Sequence, residues 1–275
     1  MEKALRIAIL ADSHLSERAP ECLRNWQYAA EAVVRWRADL TIHLGDITLD
    51  GERHADELEF AAALVGQWPT PMFCVPGNHD MGGGSGEEPL QTARLTAYEA
   101  AFGAGRWAVD AGSWTLVGIN AQLLGSSTQE EEQQWSWLSA QVAVGAAHVA
   151  LFLHRPVLRP DTQERVRRGR YVSDAARERL LQGPLRDRLR IVLSGHVHQY
   201  LDRFIEGVRH VWVPSCAFVL PDALQARIGE KVVGLGLLEL GETSGSSFDL
   251  LCPQGMERHY VTELGWWPGQ AATRA

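Results

Sequence analysis

The stretch Met72-Phe73-Cys74-Val75-Pro76-Gly77-Asn78-His79-Asp80 decides the fold class. An apolar run too short for a helix stops at a Pro-Gly pair, and an amide, an imidazole and a carboxylate follow at once. A short apolar run bounded by turn residues reads as a buried strand. The same shape recurs four more times. Ile7-Ala8-Ile9-Leu10 runs into Asp12 and His14, and Leu40-Thr41-Ile42-His43-Leu44 runs into Gly45-Asp46. Val149-Ala150-Leu151-Phe152-Leu153 runs into His154, and Ile191-Val192-Leu193 runs into Gly195-His196-Val197-His198.

Outward from these runs, strands and helices alternate. Strands are expected at residues 6–10, 39–44, 71–75, 114–119, 148–153 and 190–193. Helices are expected at 52–65, 90–102, 130–144 and 174–181, with Trp135, Leu138 and Val142 on one face of the third. After Pro20, Leu23, Trp26, Ala30, Val33 and Val34 fall at helical spacing. The remainder to about Tyr260 is strand-rich. Such alternation predicts an α/β fold with buried sheets, in which ligands collect beyond the carboxyl ends of the strands. If the five strands are neighbours, their polar ends converge on one crevice. No repeat or linker divides the chain, so residues 1–264 read as one domain, followed by a tail at 265–275 that could pack on the body or on a second copy; a homo-oligomer stays open. The glycine run 82–86 and residues 241–247 read as flexible loops. Neither is a P-loop, because no Gly-Lys-Ser/Thr follows.

Composition narrows the function. Of 275 residues 45% are hydrophobic and 22% charged, which excludes collagen-like and disordered classes. The net charge of -8 gives no basic footprint for tracking a nucleic-acid polymer. Cys22, Cys74, Cys216 and Cys252 form no CxxC pair, and Cys74 and Cys216 lie in apolar runs where buried thiols are common. The apolar stretch 7–11 is too short for a secretory core, and no run approaches the length of a membrane span. A soluble cytoplasmic protein is the expectation, with no membrane partner.

The polar set is Asp12, His14, Asp46, Asn78, His154, His196 and His198. Asp46 or Asn78 alone would read as a turn residue; seven such residues after five apolar strands do not. Imidazole and carboxylate donors suit zinc, manganese or iron. Seven exceed what one ion needs, so two ions sharing a ligand is the economical reading. A pair roughly 3.5–4 Å apart clamps the attacking and leaving oxygens of a phosphoryl displacement and makes hydroxide available near neutral pH. The absence of thiolates argues against a closed structural zinc site.

Asp12-x-His14, Gly45-Asp46, Gly77-Asn78-His79-Asp80, His154 and Gly195-His196-x-His198 together resemble the calcineurin-like metallophosphoesterases, in their usual order. Asp12-Ser13-His14-Leu15, Gly45-Asp46-Ile47-Thr48 with Gly51, Val75-Pro76-Gly77-Asn78-His79-Asp80 and Gln134-Trp135-x-Trp137-Leu138 are similar to the cyclic-nucleotide phosphodiesterase-like branch. The resemblance implies a four-layer α-β-β-α sandwich of two mixed sheets. It implies that Asp12, His14 and His198 hold a first metal, that Asp46 bridges, and that Asn78, His154 and His196 complete a second. It implies catalytic roles for His79, as proton donor to the leaving alkoxide, and for Asp80, orienting it. A metal-bridging hydroxide would attack a phosphodiester, with a small nucleotide or cyclic nucleotide as the candidate substrate. A phosphomonoesterase or glycerophosphodiesterase-type hydrolase is the alternative, and a non-catalytic scaffold on the same fold is the second.

Two positions depart from the branch: Arg155 stands where many members carry a second His, and Ile119-Asn120-Ala121-Gln122 replaces a Leu-Asp-Ser. Arg155 is expected as a solvated loop cation, with contact to a substrate phosphate as the other reading. The run 165–170 is expected as a solvated loop too, with a positive rim for anionic substrate as the other reading. His43 is expected in the core or behind a ligand, and His54 in solvent; His148, His210 and His259 have no supporting context.

Overall fold

The computed structural model describes residues 4–83, 91–157, 169–242 and 245–268. In chain order the elements are β1 (Leu5–Leu10), α1 (Pro20–Trp36), β2 (Leu40–His43), α2 (Ala55–Gly66), β3 (Met72–Cys74), α3 (Asn78–Met81), α4 (Thr92–Phe102), β4 (Trp107–Ala111), β5 (Trp114–Gly118) and α5 (Gln129–Val144). There follow β6 (His148–Leu153), α6 (Asp174–Gln182), β7 (Leu189–Ser194), β8 (Leu201–Ile205), β9 (Val208–Trp212), β10 (Phe218–Val219), β11 (Leu235–Leu240), β12 (Ser246–Leu251), β13 (His259–Tyr260) and a 3-10 turn, Val261–Glu263.

Two mixed sheets result. The first has the order β12-β11-β1-β2-β3, with β1, β2 and β3 parallel and β11 antiparallel to β1. The second has the order β4-β5-β6-β7-β9-β8, with β5, β6, β7 and β9 parallel and an antiparallel strand at each edge. Strand side chains alternate between faces, and here both faces are covered. Ile7, Ile9 and Ile42 of the first sheet pack against Trp114, Leu116, Phe152 and Leu193 of the second. Ala8 and Leu10 point the other way, onto Trp26, Ala29 and Val33 of α1. Val149 and Leu151 of β6 lie on the far side, against Trp135 and Leu138 of α5. That is why the strands read as unbroken apolar runs: parallel strands covered on both sides have no polar face. The layers are helix, sheet, sheet, helix, the expected four-layer α/β sandwich.

Details differ from expectation. On α1 the buried face is Cys22, Asn25, Trp26, Ala29, Ala32 and Val33, while Val34 is exposed. Ser246 and Ser247 belong to β12 and pair with Leu240 and Glu239, and the Gly241 N–H donates to the Gly245 carbonyl. Residues 84–86 of the glycine run, 90 of the helix expected at 90–102, 165–168 of the arginine run, 243–244 and 269–275 lie outside the described residues. The start of the tail packs on the body: Trp266 and Trp267 rest on a cluster that includes Cys22, Leu49, Phe218 and Val261. Among the described residues no helix is long and apolar enough to cross a membrane.

Candidate metal centre

All seven expected ligands come together at the carboxyl ends of β1, β2, β3, β6 and β7. The loops after β1 and β2 run side by side, joined from the Asp12 N–H to the Gly45 carbonyl and from the His14 N–H to the Asp46 carbonyl. Eight non-glycine residues among those described have positive φ, and five are ligand candidates: Asp12, His14, Asp46, His196 and His198. Left-handed backbone is unfavourable for such residues and persists only where the surroundings enforce it. The strain turns each side chain inward immediately after its strand. Two glycines make room. A Cβ on Gly195 would stand 2.7 Å from Asp12 Oδ2, and one on Gly77 would overlap Asp46 Oδ1.

Ligand-type atoms gather in two principal groups, Asp12 with His14 and His198, and Asp46 with His154 and His196, each within 4.8 Å of one another. Within the first, His14 Nε2 is 3.3 Å from His198 Nε2, and His198 Nε2 is 3.6 Å from Asp12 Oδ1. Within the second, His154 Nε2 lies 3.0 Å from His196 Nδ1, 3.2 Å from Asn78 Oδ1 and 3.3 Å from Asp46 Oδ2. Backbone carbonyls fix the tautomers. His154 donates from Nδ1 to Leu44, and His198 donates from Nδ1 to Phe218. Each ring therefore turns its Nε2 lone pair toward other acceptors. Lone pairs crowded together in a buried site are costly unless a cation sits among them, and this donor set, imidazole with carboxylate and no thiolate, fits borderline divalent ions. The carbonyl contacts are the outer support that orients metal-binding histidines.

Electrostatics agree. Burial raises Asp12 well above the usual carboxylate range, and the nearby Asp46 charge adds to it against the pull of His154. Asp46 is held well below that range, because His154 and His79 outweigh its burial. His154 is pushed up to about 9: burial opposes this, but the Asp46 and Asp12 carboxylates prevail. The second proton this favours sits on His154 Nε2 and offsets the buried negative charge; a bound cation would displace it and take the Nε2 lone pair.

His79 stands beside the ligands. Its ring packs edge-on to His14 at 4.9 Å between centroids, and its Nδ1 donates to the Leu49 carbonyl at 2.7 Å. With His14 and Asp46 it also satisfies the distance limits of a ligand group. Asp80 does not orient the ring. Its Oδ1 accepts from the Thr48 N–H and hydroxyl, and its Oδ2 accepts from the Gly77 N–H. Adjacent residues on a helical turn face different ways, so Asp80 fixes the loop that carries His79 and leaves the ring to Leu49.

Other expectations resolve as follows. Arg155 is no solvated cation: only 2% exposed, it donates to the Ala121 carbonyl, and burial lowers it to about 10. The arginine is drawn inside because the loop after β5 passes over the end of β6. His43 is buried behind the ligands, bonded to the Ser13 hydroxyl and accepting from the Gly45 N–H, and is lowered to about 3 by burial. His54 is exposed. Gln134 clamps Asn120 from both sides, accepting from its N–H at 2.8 Å and donating to its carbonyl at 2.9 Å. Cys74 and Cys216 are buried free thiols.

A cavity of about 330 Å³ opens on the ligands. His14, Asp46, Asn78, His79, His196 and His198 line it. The apolar Leu49, Phe218, Leu220, Val261, Trp266 and Trp267 line it too, with Arg170 and Gln225. Sequence reasoning missed Gln225 and the apolar lining, since they come from distant segments with no shared spacing.

The model of one family, the calcineurin-like phosphoesterases, matches residues 5–200. A probable cyclic nucleotide phosphodiesterase from Psychrobacter arcticus is 24% identical over 225 residues, 76% of this chain and 79% of that protein. Purple acid phosphatase from yellow lupin (Lupinus luteus) seeds superposes with a TM-score of 0.70 at 15% identity, over 94% of this chain and 53% of that one. The chain thus spans about half the length of the lupin enzyme. GAP50, the anchor in the inner membrane complex of Plasmodium, gives 0.65 at 16% identity over 94% and 88% of the two chains. A dimetal phosphatase from Danio rerio gives 0.61 at 15% identity over 90% and 96%. At these identities the structural likenesses show the fold alone. The five motifs in order, their convergence and the match over most of the chain make this protein a member of the calcineurin-like phosphoesterase family.

Proposed function

We propose that the protein hydrolyses a phosphodiester at a two-cation centre, with Asp12, His14 and His198 holding one ion, Asn78, His154 and His196 the other, and Asp46 shared. The carrying observation is the crowding of lone pairs around His154 Nε2 and His198 Nε2, with Asp46 facing both groups. When bound, a manganese, iron or zinc pair supplies activated water and Lewis-acid neutralisation of phosphoryl charge. The chain's own residues position and protonate. His79, its Nδ1 proton committed to Leu49, lines the cavity; as the imidazolium it would give its second proton, on Nε2, to the departing alkoxide and keep the first. Asp80 holds the backbone under it through Thr48 and Gly77. The half-enclosed cavity has room for a small ester such as a nucleotide or cyclic nucleotide, and the Psychrobacter relative, by its name a probable cyclic nucleotide phosphodiesterase, supports the diester choice.

GAP50, described as an anchor, has the same fold. The complete ligand set favours catalysis here over a scaffold. The test is turnover of bis(p-nitrophenyl) phosphate against p-nitrophenyl phosphate by manganese-loaded protein. Faster diester hydrolysis, abolished by chelator and restored by metal, is expected. Turnover of the monoester alone would replace the diesterase reading, and turnover of neither, with no bound metal, would favour a scaffold.

A further inference from the structure

The cavity at the candidate metal ligands is also lined by Gln225, whose carboxamide leaves a donor unused by the protein, and by Trp266. Gln225 is 6% exposed, and the orientation of its carboxamide is fixed by its neighbours. Gln199 Oε1 accepts from the Ile228 and Gly229 N–H groups at 2.8 and 2.9 Å, which makes its other end the NH₂. That NH₂ donates at 2.7 Å to Gln225, so the Gln225 atom it meets is Oε1. The Gln225 NH₂ is left over, in a residue that lines the cavity, with no acceptor among the described residues. Lys231, its side chain 1% exposed, locks the backbone there by donating to the Gln225 carbonyl at 2.6 Å. The Trp266 indole N–H is buried and without an acceptor among the described residues, so this residue offers the cavity its ring. Trp266 lines the same cavity and packs at 5.6 Å on Phe218, which in turn packs at 4.8 Å on His14 and on His198.

A carboxamide N–H with no protein acceptor at a cavity wall is free to bond an acceptor on a ligand. The aromatic rings of Trp266 and Phe218 beside it offer flat apolar surface. We infer that Gln225 and Trp266 form a subsite for a planar, acceptor-bearing ester group of nucleobase type, held next to the metal centre. The inference rests on the phosphodiesterase reading and deepens it by assigning the residues that choose the ester. A site built to hydrogen-bond a substrate group discriminates against an analogue lacking it, because its own polar groups are then left unpaired.

The test uses two diesters with one leaving group: thymidine 5′-(p-nitrophenyl phosphate) and methyl p-nitrophenyl phosphate. Wild-type protein is expected to prefer the thymidine ester in kcat/KM. In Gln225→Glu the contact with Gln199 is kept and the donor is lost; in Trp266→Leu the flat ring is lost. Each substitution is expected to lower the thymidine-to-methyl ratio by about 3–10-fold, the first by the worth of one neutral hydrogen bond and the second by the worth of one aromatic contact. Independently of turnover, thymidine 5′-monophosphate added to the zinc-loaded protein is expected to shift the indole N–H resonance that is missing from Trp266→Leu, and methyl phosphate is not. An unchanged ratio in Gln225→Glu or an unmoved Trp266 resonance overturns the subsite. If both esters are inert while the resonance shifts, the subsite stands and the phosphodiesterase reading falls.

Discussion

Asp46 and His79 are tied to each other: the His79 N–H donates to Asp46 Oδ1 at 2.8 Å, while Asp46 Oδ2 stands 3.3 Å from His154 Nε2. One carboxylate thus joins the second ligand group to the residue proposed as proton donor. In Asp46→Asn the amide nearly preserves the shape but removes the charge. Bound metal, read by elemental analysis, is expected to fall below two ions per chain. Diester hydrolysis is expected to fall by more than about 10²-fold, beyond the loss caused by removing an outer partner of a ligand. Full metal content with near-normal rate would show that Asp46 is not shared.

His79→Ala separates protonation from metal binding. Metal content is expected to stay at the wild-type level. Hydrolysis of esters with poor leaving groups is expected to slow by about 10²–10⁴-fold, and that of p-nitrophenyl esters by much less, since nitrophenolate departs without help. Equal slowing across a leaving-group series would remove His79 from the proton-donor role.

Gly77→Ala tests the tightness of the ligand cage, because the added Cβ would overlap Asp46 Oδ1 and the Asp46 backbone nitrogen. A loss of about 1–3 kcal/mol in urea unfolding is expected, as for other overpacked sites, together with weaker metal retention. Gly66→Ala at the end of α2, where a Cβ meets nothing within 4 Å, is the control. It is expected to be neutral or to stabilise by up to about 1 kcal/mol.

His210 gives the pH dependence of stability away from the metal centre. Burial lowers it to about 4, so it is neutral in the folded protein and binds a proton more readily when unfolded. Its contribution is complete above about pH 6.5 and is lost as pH falls toward 4, up to about 3 kcal/mol. In His210→Leu that share of the acid sensitivity is expected to vanish, measured as a smaller difference in unfolding midpoint between pH 7 and pH 4.5.

Much of this was legible in residue order. The five strands and their polar ends gave the sheets and the cluster of ligand candidates, because a strand buried on both faces is a short apolar run between turn residues and its terminal residues turn into the crevice. Where long-range contact decides, the reading failed. Arg155 looked like a loop cation because nothing in Leu153-His154-Arg155-Pro156 signals that the Ala121 carbonyl lies over it. Asp80 looked like a partner for His79 because they are adjacent, whereas its oxygens are taken by Thr48 and Gly77. The edge strand β4 escaped notice, since its half-buried residues show no clean alternation. Gln225 carries no motif at all; its role comes from Gln199, 26 positions away.

The left-handed turns at Asp12, His14, Asp46, His196 and His198 lie on loops from both sheets and are separated by most of the chain. No fragment that stops short of His198 can therefore assemble the cage. On the two-cation reading, a nascent polypeptide has to emerge through His198 before all seven ligands are present, and loading with metal would register that synthesis has passed that residue and that the two halves of the sandwich have docked.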